Sequence, residues 1–447
     1  MGATEQARLG AARDRAAARL PLWAIGGLVA ALTALQMVRR PSAPPLWDSL
    51  IAEDGKIFLS QAVSEHFLDS LATSYQGYLH TVPRVIALAA TWFPLGQAPL
   101  VMSLLATLLV ALLAVYVFHA SAAWIASPIL RGVLALAVPF IPVTAREMSG
   151  TVSNLHWYLL YAAFWAVICP WRTRGWLAIS TAVVALAVLS DPLTVVLLPI
   201  ALVFALRGRE RHAWILPGCI VLGLVLQLAL RDQGTSSFGG SDYGVLPRLF
   251  AERVTSSLLV GDRYLKDVFG GTTGSPFAWA SLAAVAVAVG LGLWRLRDRR
   301  AWLLAGGTAL SLTFFLIPAI TRGTRFLSHK APWGLTGTRY VYLPVLFLLT
   351  GLLAAVDRRT PGDRRPRVRE IVVAVAVLAT MVVGYAAPHR SSGELRWKPV
   401  LAKARVACAT RTQIPPIRLY RQARGLGALL PIDPARWSIQ IDCSKLR

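Results

Sequence analysis

Long apolar runs dominate the chain. Stretches of mostly hydrophobic residues lie at 20–38, 98–118, 132–144, 152–169, 176–190, 192–206, 213–230, 278–294, 301–319, 339–356 and 371–387. A helix needs roughly 20 apolar residues to cross a bilayer, and fewer where protein shields its end. The pattern predicts an all-α integral membrane protein with about eleven transmembrane helices, although Ser190, Asp191 and Pro192 leave open whether two runs form one broken element. The first run follows Arg8, Arg13, Arg15 and Arg19 and is long for a signal-peptide core, so it reads as an uncleaved signal anchor behind a basic arm at 1–19.

The connections between the runs sort by charge. With the N-terminus inside, the inner segments 119–131, 170–175, 207–212, 295–300 and 357–370 and the arm hold 20 of the 46 Lys and Arg residues. The short outer hairpins, 145–151 and the turn at Asp191, hold only Arg146. Short loops rich in Lys and Arg stay in the cytoplasm. This orients a multi-pass chain with a cytoplasmic N-terminus, a transmembrane domain over 20–387 and an extracytoplasmic tail over 388–447. Long outer loops fall at 39–97, 231–277 and 320–338. Composition agrees: the 447 residues are 55% hydrophobic and 15% charged, whereas a soluble domain carries about 25% charged residues. The net charge of +24 is thus first a topology signal, and no nucleic-acid partner is expected.

In the first outer loop, apolar residues at 57–71 recur at three and four, as in an amphipathic helix lying in the membrane interface; 82–94 is a second, more apolar piece. Glu53 and Asp54 stand just before the first helix. Two readings are open: the acids cap a helix and favour its positive dipole end, or one is a general base, or holds a divalent cation, beside a substrate. Trp47, Asp48, Tyr75, Tyr78, His80 and Arg84 supply aromatic, hydrogen-bonding and cationic groups nearby. In the 231–277 loop, 245–269 is amphipathic enough for a further interfacial helix.

The hairpin at 145–158 is unexpectedly polar. Arg146 and Glu147 suit a surface contact, and Trp157 and Tyr158 a belt anchor. Asn154 and His156, placed inside a helix, read as facing a cavity, because polar groups at membrane depth are costly elsewhere. Asp191 is either a cap before Pro192 or a wall of that cavity. Residues 320–340 hold Arg322, Arg325, His329, Lys330 and Arg339 without a carboxylate, and Arg339 and Tyr340 open the tenth helix. Arginine forks match phosphate geometry, and anionic lipid headgroups are the alternative partner. Cys169 and Cys219 fall in apolar runs, while Cys408 and Cys443 lie in the tail, either as a disulfide closing a small cap or as two free thiols. No Cys or His spacing suggests a zinc site.

The strings EDGKIFLSQA (53–62), SNLHWYLLYAAFWA (153–166) and GTRYVYLPVLFLLTG (337–351), set in this layout, resemble GT-C-type membrane glycosyltransferases of bacteria, actinobacteria among them. The resemblance covers most of 20–387 and leaves out the tail. It implies a GT-C-like fold and an enzyme of the bacterial cytoplasmic membrane. Such an enzyme moves a sugar from a polyprenyl-phosphate-linked donor to an envelope glycan or lipid acceptor on the extracytoplasmic face. By the same resemblance the catalytic carboxylate is Asp54 or Glu53, and the donor phosphate falls to Arg322, Arg325, Arg339 and Tyr340 with Arg84 in support. His80, Glu147, Asn154, His156 and Trp157 line the cavity or the acceptor site. Membrane lipids, the lipid-linked donor and a glycan or glycolipid acceptor are the implied partners. The family leaves the cofactor open between none and a divalent metal ion such as Mg or Mn. A transporter or lipid flippase, or a non-catalytic envelope-assembly protein, is the competing class; it would favour internal repeats and mid-membrane charges, whereas the charges here cluster on the outer face.

Overall fold

A computed structural model describes residues 44–144, 148–169, 173–207, 211–231, 242–261, 276–324, 337–357, 367–386, 395–422, 425–432 and 437–446, together with Gly27, Ala31 and Ala34. The first apolar run, apart from those three residues, lies outside the described residues.

Wherever the described chain is uniformly apolar it forms helix. After a first long loop, α4 (Ala98–Ala120), α5 (Pro128–Phe140), α6 (Leu155–Ile168), α7 (Arg174–Ser190), α8 (Leu198–Arg207) and α9 (Ile215–Ala229) run back and forth. They are followed by α10 (Leu246–Phe250), α11 (Ser256–Val260), α12 (Pro276–Arg295), α13 (Arg299–Arg322), α14 (Arg339–Val356) and α15 (Val368–Ala386). The first loop itself carries α1 (Ser60–Ser64), α2 (Phe67–Ala72) and α3 (Thr81–Ala90). Among the described residues, five helical stretches are long and apolar enough to cross a membrane: Leu95–Ala123, His212–Ala229, Pro276–Arg295, Arg299–Arg322 and Arg339–Val356. The other apolar helices are shorter.

Burial ranks these helices. Every residue of α6 is buried, as is most of α14, and a helix apolar all round belongs inside its bundle. Phe314 of α13 stacks on Phe347 of α14 at 5.4 Å, and Tyr161 of α6 hydrogen-bonds Thr350 across 2.7 Å. In contrast, α12 buries only Ala278, Ser281 and Val285, so most of its apolar surface faces outward. In a chain this hydrophobic, that surface suits lipid.

Three local expectations change. The helix expected over 57–71 starts earlier, as a π-helix at Asp54–Leu59 that continues into α1, and it breaks at Glu65 before α2. Of the amphipathic stretch at 245–269, the described part is helical to Val260 and breaks at Gly261, whose φ of +79° does not fit a helix, and 262–269 lie outside the described residues. The chain is not wholly helical either. Its tail folds as α16 (Trp397–Thr410) and a three-stranded antiparallel sheet, β1 (Arg418–Gln422), β2 (Gly425–Pro431) and β3 (Ser438–Asp442), in that order. Strand β3 buries alternate residues, Ile439 and Ile441, as a half-buried strand does. A disulfide joins Cys408 of α16 to Cys443 just past β3.

Candidate active site

One end of the bundle collects polar groups from five separate segments. Asp54 opens the π-helix, yet its carboxylate does not cap it. Oδ1 accepts from the Ser153 amide and Oδ2 from the Val152 amide, both at 2.9 Å. The turn that offers these amides depends on Gly150, whose φ is +69° and where a Cβ would lie 2.4 Å from Leu46. Only glycine adopts that conformation at no steric cost. Asp54 is 5% exposed. Burial pushes its pKa up to about 7, against the bonds from Ser153 and Val152, and the neighbouring Glu53 charge adds to the rise.

Glu53 faces the other way. Its Oε1 stands 3.5 Å from Nη1 of Arg339, the first residue of α14. The Arg339 guanidinium also sits 5.4 Å from the ring of Tyr340, which meets Trp157 edge-on at 5.5 Å. From the end of α13, Arg322 donates to Gln76 Oε1 at 3.0 Å. The acidic pair and two of the predicted arginines thus converge from the first loop, α13 and α14.

Between them lies a cluster of rings. His80 stacks on Tyr78 at 4.2 Å and meets His156 edge-on at 5.8 Å, with Phe58 and Tyr75 at 5.4 and 5.5 Å. Burial, then the nearby His156, Arg84 and Arg339, hold the His80 imidazole well below its ordinary pKa, so it is neutral at neutral pH. Burial also raises the Tyr75 and Tyr78 phenols, leaving them as O–H donors. His156 Nε2 lies 3.6 Å from Asp191 Oδ2, while Asp191 Oδ1 accepts from the Leu193 amide at 2.8 Å. Asp191 is therefore both a helix cap and a neighbour of the cluster. Asn154 is buried and donates to Thr151 Oγ1 at 2.9 Å, inside the same turn that holds Asp54.

Two backbone outliers flank the site. Ala52, immediately before the acidic pair, has φ +40°, and Gln76, the partner of Arg322, has φ +56°. Residues other than glycine in that region cost of order 1 kcal/mol or more and persist where their surroundings over-determine them.

Arg84 stands apart. It is 1% exposed, and its Nη1 donates to Gln61 Oε1 at 2.8 Å and to the Ser70 carbonyl at 2.7 Å. Burial lowers its pKa to about 10. Through Nη1 the guanidinium bridges the break between α1 and α2 and ties it to α3, while Nε and Nη2 have no hydrogen-bond partner among the described residues. Glu147 and Arg325, with Arg146, His329 and Lys330, lie outside the described residues. Two contributors were not singled out from the sequence. Gln76 holds Arg322, and Gln227 of α9 accepts from the Leu79 amide at 2.7 Å and donates to the Val188 carbonyl at 2.9 Å. A lone glutamine in an apolar run was the available signal for Gln227, since such a group is costly without partners. Among the described residues, no group of three or more His, Cys, Asp or Glu side chains stands together to hold a metal ion.

No protein-family model matches the chain, and no curated protein matches it in sequence. Among solved structures it is similar to ArnT from Cupriavidus metallidurans bound to undecaprenyl phosphate, at 15% identity and a TM-score of 0.43, over 88% of this chain and 66% of that one. It is similar also to the oligosaccharyltransferase of Archaeoglobus fulgidus in complex with Zn and sulfate, at 10% identity and a TM-score of 0.39, over 86% of this chain and 55% of that one. These neighbours are GT-C glycosyltransferases. The chain spans less than two thirds of the length of either. At such identities no residue role passes from them to this chain.

Proposed function

We propose that this chain is a GT-C-type glycosyltransferase that moves a sugar from a polyprenyl-phosphate-linked donor to an envelope glycan or lipid acceptor. The observation that carries the reading is the convergence of a buried carboxyl poised near neutral pH, Asp54, with Arg322 and Arg339 at one end of the bundle. A base works best when its pKa lies near the working pH, and developing phosphate charge is best met by fixed guanidinium groups.

In this reading Asp54 takes the proton of an acceptor hydroxyl as that oxygen bonds to the anomeric carbon of the donor sugar. The bond from that carbon to the phosphate oxygen breaks, and its electron pair stays on the lipid phosphate. The Val152 and Ser153 amides and the Ser153 hydroxyl bond to the Asp54 carboxylate, which fixes its orientation, and a remaining lone pair is available to the acceptor. Arg339, steadied by Glu53, and Arg322, steadied by Gln76, receive the leaving phosphate. Tyr78, Tyr75 and Trp157 offer flat apolar faces and neutral donors for a sugar ring. Among the described residues no three His, Cys, Asp or Glu side chains stand together, and no step is assigned to a metal.

The short basic connections support a cytoplasmic N-terminus and a site on the extracytoplasmic face of the bacterial cytoplasmic membrane. The Cys408–Cys443 disulfide suits an oxidising compartment and supports the same orientation. Deleting the gene in its host and profiling envelope glycans by mass spectrometry tests the reading. A sugar residue missing from one glycan and restored by the wild-type chain is the expected result. Unchanged glycans together with a lipid-transport defect would favour a flippase instead.

A further inference from the structure

The transferase reading leaves the tail without a task, yet the tail is seated on the segment that carries Asp54. Gly55, next to Asp54, lets the π-helix approach so closely that a Cβ there would lie 2.7 Å from Ile432 Cδ1 and 3.2 Å from Leu50 Cβ. Lys56 Nζ stands 5.2 Å from the Trp437 ring. Further along, Ser60 Oγ donates to the Gln440 carbonyl of β3 at 3.2 Å, and Lys445 Nζ donates to the Val63 carbonyl. At its other edge the tail is pinned by Trp397 Nε1 to the Leu95 carbonyl at 2.8 Å and by the Lys398 amide to Asp48 Oδ1 at 2.9 Å. Trp397, Ile432, Ile439, Ile441 and Cys443 share one continuous buried core with Phe58 and Leu59 of the π-helix.

Such an arrangement does more than cover a surface. A π-helix is a rare form, found mostly as a single turn within α-helices and often at functional sites, so contacts from outside the helix bear on whether it holds this geometry or becomes α. Relaxation would rotate Asp54 relative to the Val152 and Ser153 amides that hold it. The disulfide ties α16, which bears Trp397, to the end of β3, which bears Gln440. Both edges of the seat are thereby locked together.

We propose that the C-terminal cap is a positioning element for Asp54: it clamps the π-helix through Ile432, Gln440 and Lys445, and the Cys408–Cys443 disulfide keeps the clamp closed. The proposal rests on the transferase reading only where it concerns turnover. The cap residues act through the helix and touch no reacting atom. The groups that face Asp54 are Glu53 on its own helix and Val152 and Ser153 across from it.

The test uses the full-length chain in lipid nanodiscs. The protein is compared as isolated, after reduction with a phosphine, after re-oxidation, and as the Ile432→Ala and Cys408→Ser/Cys443→Ser variants. Hydrogen exchange over 54–64 should quicken by about tenfold or more on reduction, while 339–356 stays protected, because the loss is local. The infrared carboxyl band absent from Asp54→Asn should titrate near pH 7 in the oxidised protein and about one unit lower in the reduced one, since water then reaches the group. Re-oxidation should restore both. Unchanged exchange and an unchanged midpoint would overturn the proposal, as would equal loosening of 339–356. If Asp54→Asn erases the glycan product but the double cysteine variant makes it in full, the positioning role fails and the transferase reading stands. If Asp54→Asn leaves the product intact, the transferase reading fails, and exchange and titration still decide the clamp.

Discussion

Both ends of the bundle bury carboxylates that hold a connecting loop to a neighbouring segment, but only one end adds groups that such a task does not need. At the far end, Asp357 Oδ2 accepts from the Ala126 amide at 2.5 Å and Glu370 Oε2 from Ser127 Oγ at 2.8 Å, so the last basic loop is tied to the start of α5. Arg300 donates to the Asp357 carbonyl and Arg299 to the Ala123 carbonyl. These four groups each have a neighbour in the scaffold. At the Asp54 end a similar tie, carboxylate to backbone amide, is surrounded by stacked rings, two convergent arginines and two residues at positive φ. A polar group that only staples costs little once paired. A set that also carries strain is expected where function over-determines it.

Substitutions at the two ends should break this comparison most sharply. Asp54→Asn should lower sugar transfer by about 100-fold or more, within the range general base catalysis supplies. Asp357→Asn should instead lower stability by about 1 kcal/mol, because an amide oxygen accepts from the Ala126 N–H less strongly than a carboxylate does, with turnover per folded molecule unchanged. Kinetics normalised to folded protein, beside thermal unfolding, separate the two. Arg339→Ala should raise KM for the lipid-linked donor by about tenfold or more, since hydrogen bonds to charged groups are worth roughly 1.5–3 kcal/mol. KM for the acceptor should hold; an equal rise in both would remove Arg339 from the phosphate.

The pH responses of the ends should also differ in sign. Asp54 is raised from 3.8 to about 7 on folding. Its protonated form is thus favoured by the fold, and the stability it contributes is present below about pH 4 and lost as pH rises through about 7. Transfer, which needs the carboxylate, should rise about tenfold per unit up to the same midpoint. A flat profile between pH 5 and 8 would contradict the assignment. Gly150→Ala should destabilise by about 1 kcal/mol or more, because the left-handed conformation is lost and Leu46 must move. It should also disturb the Asp54 titration, which no far-end substitution should do. The smallest effect belongs to Asp298, whose carboxyl is held below its ordinary pKa by the hydrogen bond from Arg300. Its contribution is present at neutral pH and lost as pH falls through that lowered value, so Asp298→Asn should remove only a slight acid-side loss in thermal unfolding.

The legible parts of the molecule were those written as pattern. Continuous apolar runs became helices because burying them needs no particular partner, and the α6 and α14 sequences matched the most buried helices. The acidic pair and the Arg339–Tyr340 helix start were visible because charge beside a membrane segment is costly without purpose. For Arg84 the sequence could not show that Nη1 would be held by Gln61 and the Ser70 carbonyl, because those partners come from separate helices of the loop. The π-helix at Asp54 was hidden because its geometry is imposed by distant groups, Val152 and Ser153 on one side and Ile432 on the other. The tail sheet escaped notice because its strands are short, and its stability borrows from a core shared with the first loop.

Complementation of the deleted host gene tests the central claim most directly, with envelope glycans read by mass spectrometry from strains carrying the wild-type, Asp54→Asn, Glu53→Gln or Asp357→Asn chain at matched membrane levels. The account predicts that wild type and Asp357→Asn restore the missing sugar and Asp54→Asn does not. Restoration of the missing sugar by the Asp54→Asn chain would contradict it.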